Sequence, residues 1–219
     1  MKIQVNGLNL HYQQMGSGKP LILLHGNGED HTIFDRAMQD FSRFYTVYAL
    51  DSRGHGKSDP VPTLTYQEMA EDVAAFIRAL DLQSPSLIGF SDGGVVGLLV
   101  AMQFPDLLGK LVVAGANLTP AGIKQPFRGL MKAKNLISPD SKLQLMLTQP
   151  HISGWQLTGI STPTLVLAGE KDLITEEQTR RIARSIPDAK LLILPGETHS
   201  SYVVHSDKLY PATWNFLQG

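Results

Sequence analysis

Apolar residues along this chain first alternate, then cluster in short runs separated by helical spacings. Ile3, Val5, Leu8, Leu10 and Tyr12 fall on alternate positions either side of Asn6-Gly7. Alternation around an Asn-Gly pair is the pattern of a two-residue β-hairpin. Continuous apolar runs follow at Pro20–Leu24, Tyr45–Leu50, Leu87-Ile88, Lys110–Gly115, Pro163–Ala168 and Lys190–Leu194. Runs without alternation fit strands of a sheet that is buried on both faces. Helical spacing appears between them, over 30–42 (Ile33, Phe34, Ala37, Met38, Phe41), 65–82, 95–102 and 175–186. Thr65 followed by Glu68 has the form of a capping box, and Met69, Val73, Phe76, Ile77 and Leu80 make one apolar face. Residues 201–217 predict a closing helix. The order, a hairpin and then strands alternating with helices, predicts an α/β fold with a mostly parallel sheet, an N-terminal antiparallel hairpin and helices on both faces.

Residues 118–160 break this rhythm. Pro120, Pro126, Pro139, Pro150 and several glycines interrupt helix-like pieces around 123–136 and 140–148. The expectation is a short lid over the top of the sheet, within one domain spanning 1–219. A chain of 219 residues is long enough for a substantial core. Its net charge of −1, with no basic run or acidic tail, argues against a nucleic-acid partner. The lack of cysteine removes disulfides, thiolate chemistry and cysteine-ligated metals. No apolar leader and no apolar run near ~18 residues are present, so the expected setting is the cytoplasm, without stable membrane association. Oligomeric state has no signature in the sequence.

The chemistry concentrates just past the apolar runs. Gly89-Phe90-Ser91-Asp92-Gly93 sits between a strand and a helix, the context of a nucleophile elbow. There the residues two either side of the serine must be small, and the following helix N-terminus favours developing negative charge. His25-Gly26-Asn27-Gly28, Asp51, Asp172 and His199 also follow apolar runs, so parallel strands would bring them to one rim.

Together with the turns Asp51–Ser58, Gly169–Asp172 and Gly196–His199, these motifs make the chain resemble the α/β-hydrolases essentially end to end. The resemblance is to the compact serine esterase and lipase-like type. It implies Ser91 as nucleophile, His199 as general base and Asp172 as the acid that orients it. It also implies an oxyanion hole from the backbone N–H groups of Asn27 and Asp92. The implied reaction is hydrolysis of small to medium carboxylic esters through an acyl-enzyme, with a small-molecule ester substrate and neither metal nor cofactor.

Rival residues exist. His205 falls in the predicted terminal helix, where a surface or packing role is commoner. Glu170 and Asp188 compete for the acid role, but Asp172 closes a turn directly after a strand. Some relatives carry the acid after the preceding strand, where this chain has Asn117, which supplies no charge. Asp51, Arg53, His55 and Ser58 fit a structural turn, and His25 fits a role in shaping the oxyanion loop. Asp92 is a departure, since many relatives have an uncharged residue after the nucleophile. It would either bind a substrate ammonium group or pair with a neighbouring cation. Phe127, Leu130, Met131, Met146 and Trp155 are candidate apolar lining beneath the lid. Carbon–carbon hydrolysis, lyase chemistry, cofactor-free perhydrolysis and a receptor-like binder with little turnover are the alternatives that the same motifs leave open.

Overall fold

The computed structural model describes all of residues 1–219. Asn6 and Gly7 take φ of 49° and 81°, folding β1 (Lys2–Val5) back onto β2 (Leu8–Met15) with Val5 opposite Leu8. The apolar runs form β3 (Lys19–Leu24), β4 (Tyr45–Leu50), β5 (Ser86–Phe90), β6 (Lys110–Ala114), β7 (Thr164–Lys171) and β8 (Ala189–Thr198). All eight strands make one sheet in the order β1-β2-β4-β3-β5-β6-β7-β8. β2 lies antiparallel to both β1 and β4, and the six strands from β4 to β8 run parallel.

The helices are α1 (Asp35–Phe41), α2 (Tyr66–Ala79), α3 (Asp92–Gln103), α4 (Gln125–Ile137), α5 (Ser141–Thr148), α6 (Gly154–Leu157), α7 (Glu176–Ser185) and α8 (Leu209–Gln218). Successive strand residues point to opposite faces, so each run feeds two cores. Leu21, Leu23, Val112 and Ala114 pack under α1 and α8, while Ile22, Leu24, Leu111 and Val113 pack under α2, α3 and α7. Thr65 caps α2 as its spacing predicts, accepting from the Glu68 N–H. No helix is long and apolar enough to cross a membrane.

Three details differ from the sequence pattern. The closing helix begins at Leu209, and residues 201–208 form turns. Pro211 explains the late start: it is tolerated in a first turn but would clash with the Asp207 carbonyl inside a longer helix. His205 therefore sits in a turn at φ 50° and not in a helix. β7 and β8 outrun their apolar stretches, pairing as far as Lys171 and Thr198 through a register shift between Gly169 and Lys171. Within 118–160, the space above the strand ends is bordered by α4, α5 and the flanking Ile123 and Asp140, while Ile152, Leu157 and Ile160 are buried with the α2, α3 and α7 layer.

Candidate active site

Five parallel strands each end one residue before a polar side chain. β3 delivers His25, β4 Asp51, β5 Ser91, β7 Asp172 and β8 His199, all at the carboxyl rim. That rim is where open α/β sheets hold ligands.

Ser91 has φ 53° and ψ −114°, an uncommon conformation for a residue with a Cβ. Its N–H donates to the Ala114 carbonyl at 2.7 Å, and the Gly93 N–H donates to the His25 carbonyl at 3.1 Å, which holds the turn in place. A Cβ at Gly89 would collide with the Gly93 carbonyl, and one at Gly93 with the Leu24 carbonyl. The glycines of the pentapeptide are thus required by close packing.

His199 bridges the two other groups. Its Nδ1 lies 2.6 Å from Asp172 Oδ1, and its Nε2 lies 3.1 Å from Ser91 Oγ. With Nδ1–H donating to the carboxylate, Nε2 is left as the acceptor for the serine proton. Asp172 is buried; Oδ1 also accepts from the Ile174 N–H at 2.8 Å, and Oδ2 has no partner. Gly115, at φ 61°, lies beside this pair, and a Cβ there would come within 2.9 Å of the His199 ring. Sequence reasoning missed this glycine; its signal was a glycine closing an apolar run.

Neither the Asn27 nor the Asp92 amide finds a protein acceptor among the turn and loop hydrogen bonds. Asp92 opens α3, where unpaired N–H groups and the helix dipole favour an anion. The Asn27 side chain donates to Asp92 Oδ2 at 2.8 Å and to the Lys142 carbonyl at 3.1 Å, tying the loop after β3 to the elbow and to α5. Tyr66 donates its hydroxyl to Asp92 Oδ1 at 2.8 Å. The partners of Asp92 are therefore neutral donors, and it pairs with no cation. Burial pushes its carboxyl up to about 6, against the opposing pull of these two hydrogen bonds. Tyr66 was read from sequence only as part of a helix; a buried phenol usually finds a partner, which was its signal. Glu29 was also missed. It borders the cavity and accepts from the Gly26 N–H at 2.9 Å, and burial raises its carboxyl above the usual range.

A cavity of about 450 Å³ opens above Ser91 and His199. Phe127, Leu130, Met131, Met146, Leu143 and Ile174 supply its apolar wall. Trp155 is corrected: it lies outside the cavity and is 82% exposed. On α6 it is two residues from the buried Leu157, about 200° around the helix, so seating one side chain turns the other outward.

The rival residues have other duties. His205 is exposed and pairs with Asp35 at 3.0 Å. Glu170 accepts from the Gly196 N–H, and Asn117 donates to the Thr119 carbonyl. Burial lowers the His25 pKa to about 4, against its bond to the Gly26 carbonyl, and keeps the ring neutral. Its Nδ1 donates to the Gly26 carbonyl at 2.7 Å, while Nε2 accepts from the Ser52 N–H at 3.0 Å.

Asp51 gathers two histidines. Oδ1 accepts from the N–H and Nδ1 of His31 at 2.8 and 2.7 Å; Oδ2 accepts from His11 Nδ1 at 2.9 Å and the Lys57 N–H at 2.8 Å. The donor atoms of His11, His31 and Asp51 lie within 4.8 Å of one another, close enough for a metal. Hydrogen bonds already use both carboxylate oxygens twice, which accounts for the cluster as a brace between β2, β4 and the loop before α1. Arg53 extends the same loop to α2, with a two-pronged contact to Asp72 at 2.6 and 2.8 Å.

A serine, its histidine and a buried carboxylate, in the chain order Ser-Asp-His on the carboxyl rim of this sheet, define a serine hydrolase of the acyl-enzyme kind. The chain belongs to the alpha/beta hydrolase fold family, whose model matches residues 19–134. It is 28% identical to the serine hydrolase BPHL of Mus musculus, over 99% of this chain and 86% of that protein. Among solved structures it resembles the enol-lactonase of Burkholderia xenovorans, with a TM-score of 0.84 at 21% identity and full coverage of both chains. It also resembles a meta-cleavage product hydrolase of Pseudomonas fluorescens, with a TM-score of 0.84 at 17% identity over 100% of this chain and 97% of that one.

Proposed function

We propose that Ser91, His199 and Asp172 hydrolyse small to medium carboxylic esters in the cytoplasm, with residues 1–219 acting as one domain and 118–160 as its cover. The observation that carries this reading is the continuous chain from Ser91 Oγ to His199 (3.1 Å) and from His199 to Asp172 (2.6 Å), beneath an apolar cavity. His199 Nε2 takes the serine proton as Oγ attacks the ester carbonyl, and Asp172 stabilises the imidazolium that forms. The tetrahedral oxyanion is met by the Asn27 and Asp92 N–H groups. The intermediate collapses as His199 returns the proton to the departing alkoxide, leaving an acyl group on Ser91. Water, deprotonated by His199, then attacks that acyl group; collapse of the second intermediate frees the carboxylic acid and restores Ser91. No step draws on a metal or cofactor.

Purified wild-type and Ser91→Ala protein should be assayed on p-nitrophenyl esters of graded chain length. The expected result is turnover in wild type alone, with a chain-length optimum that reflects the cavity. Turnover surviving in Ser91→Ala would refute the assignment.

A second reading concerns the acyl group. Asp92 and Glu29 border the cavity outside any ion pair, with Lys134 and Lys142 also on its wall, and two unpaired carboxylates there favour substrates carrying an ammonium group. Asp92→Asn should then lose activity on amino-acyl esters more than on simple acyl esters. Equal losses would remove the idea.

A further inference from the structure

Helix α4 turns an apolar stripe toward solvent. Its inner side is Met131, buried with Ile123 and Ile174, while Arg128 and Asn135 are half-buried beside it. At about 100° per residue, Leu130, Ala133, Leu136 and Ile137 fall on the outward arc, with Gly129 among them. Leu130, Leu136 and Ile137 are 70%, 85% and 86% exposed. Lys132 and Arg128 follow along one margin of the arc, and Lys134 borders the other. Residues 124–137 hold four cations, counting Lys124, and no Asp or Glu, in a chain whose net charge is −1. One end of the stripe reaches the catalytic cavity, since Leu130 and the neighbouring Phe127 line its wall.

We propose that α4 docks reversibly on an anionic lipid surface. Leu136, Ile137 and Leu130 enter the boundary between headgroups and acyl chains, and the flanking lysines sit among the headgroups. An apolar stripe bordered by cations is the pattern of helices that lie in the membrane interface. Charge decides the occupant: a second copy of the stripe would bring its cations against these cations, whereas anionic headgroups complement them. Three apolar side chains on a short helix make the contact transient, and no helix of the chain is long and apolar enough to cross a membrane. Docking would bring lipid-dispersed molecules to the mouth at Phe127 and Leu130. The proposal goes beyond the hydrolytic reading, because binding is measured without turnover.

The full chain should be co-sedimented with vesicles of phosphatidylcholine alone and of phosphatidylcholine mixed with phosphatidylglycerol. The anionic vesicles should bind about tenfold more protein, and added salt should reverse the excess. Leu136→Glu with Ile137→Glu should lower that binding about tenfold while leaving turnover of a water-soluble ester intact, which shows the variant is folded. Ser91→Ala should bind like wild type, so failure of the catalytic assignment and failure of the docking proposal are separate results. Equal binding to both vesicle types, no binding to either, or undiminished binding of the double variant would overturn it. So would gel filtration showing a dimer that the double variant abolishes, with no vesicle binding.

Discussion

Asp51 and Asp172 make the same contact, a carboxylate oxygen at hydrogen-bond distance from a histidine Nδ1, and put it to different ends. Asp51 holds two histidines and two backbone N–H groups, so each oxygen accepts twice. Burial pushes its carboxyl up, but these bonds outweigh that and lower it overall. Asp172 accepts from His199 and the Ile174 N–H on one oxygen and leaves the other unpartnered. Donors that saturate a carboxylate hold it ionised and spread its charge over several partners; Asp172 has His199 as its one side-chain partner and an oxygen left free. The far nitrogen completes the contrast, since His199 Nε2 meets Ser91 Oγ at 3.1 Å. An Asp-His pair therefore becomes catalytic through what its histidine reaches next.

The contrast breaks most sharply at Asp172→Asn. It should lower kcat on the order of 10⁴-fold, by giving His199 the wrong tautomer, while the melting temperature stays near that of wild type. Asp51→Asn should do the reverse. Losing part of a buried, fully bonded carboxylate costs on the order of 2–4 kcal/mol, or about 5–15 °C in melting temperature, and kcat of the folded protein should stay within about fivefold. Paired kinetics and thermal melts check both; a large kcat loss in Asp51→Asn without destabilisation would erase the distinction.

Asp92 sharpens it through pH. Its pKa of about 6 in the fold lies above the unfolded carboxyl value, so the folded state binds the proton more tightly. This group opposes folding above pH 6, and the opposition is relieved as pH falls through 6 toward the unfolded value near ~4. Asp51 has the opposite sign: its lowered pKa gives stability above the unfolded value that is lost as pH falls through the folded one. Asp92→Asn should therefore gain about 2 kcal/mol relative to wild type on going from pH 4.5 to 7.5, measured by denaturant unfolding. A pH-independent difference would contradict its burial as a charged group. The smallest effect belongs to a third Asp-His pair, the exposed Asp35–His205, where His205→Ala should change stability by less than about 0.5 kcal/mol and leave kcat unaltered.

The framework was legible because apolar runs end where chemistry begins: Leu24, Leu50 and Phe90 each precede a polar residue that the sheet carries to the rim. The Tyr66–Asp92–Asn27 network was not, because its members join only once the sheet order sets β3 beside β5 and α2 beside α3. Gly115 reads as the end of a strand until His199, far along the chain, packs against it. Trp155 misled because an aromatic in the covering segment fits a pocket wall, whereas helical phase turned it outward. The closing helix starts later than the apolar spacing predicts because Tyr202 and Val203 are buried in turns, where such spacing looks the same as in a helix.

The most direct measurement is intact-mass analysis after treatment with a fluorophosphonate, on wild type, His199→Ala and Ser91→Ala. A single adduct on Ser91 in wild type, much slower labelling in His199→Ala and none in Ser91→Ala is the predicted result. An adduct of equal yield in Ser91→Ala would show that Ser91 is not the activated nucleophile.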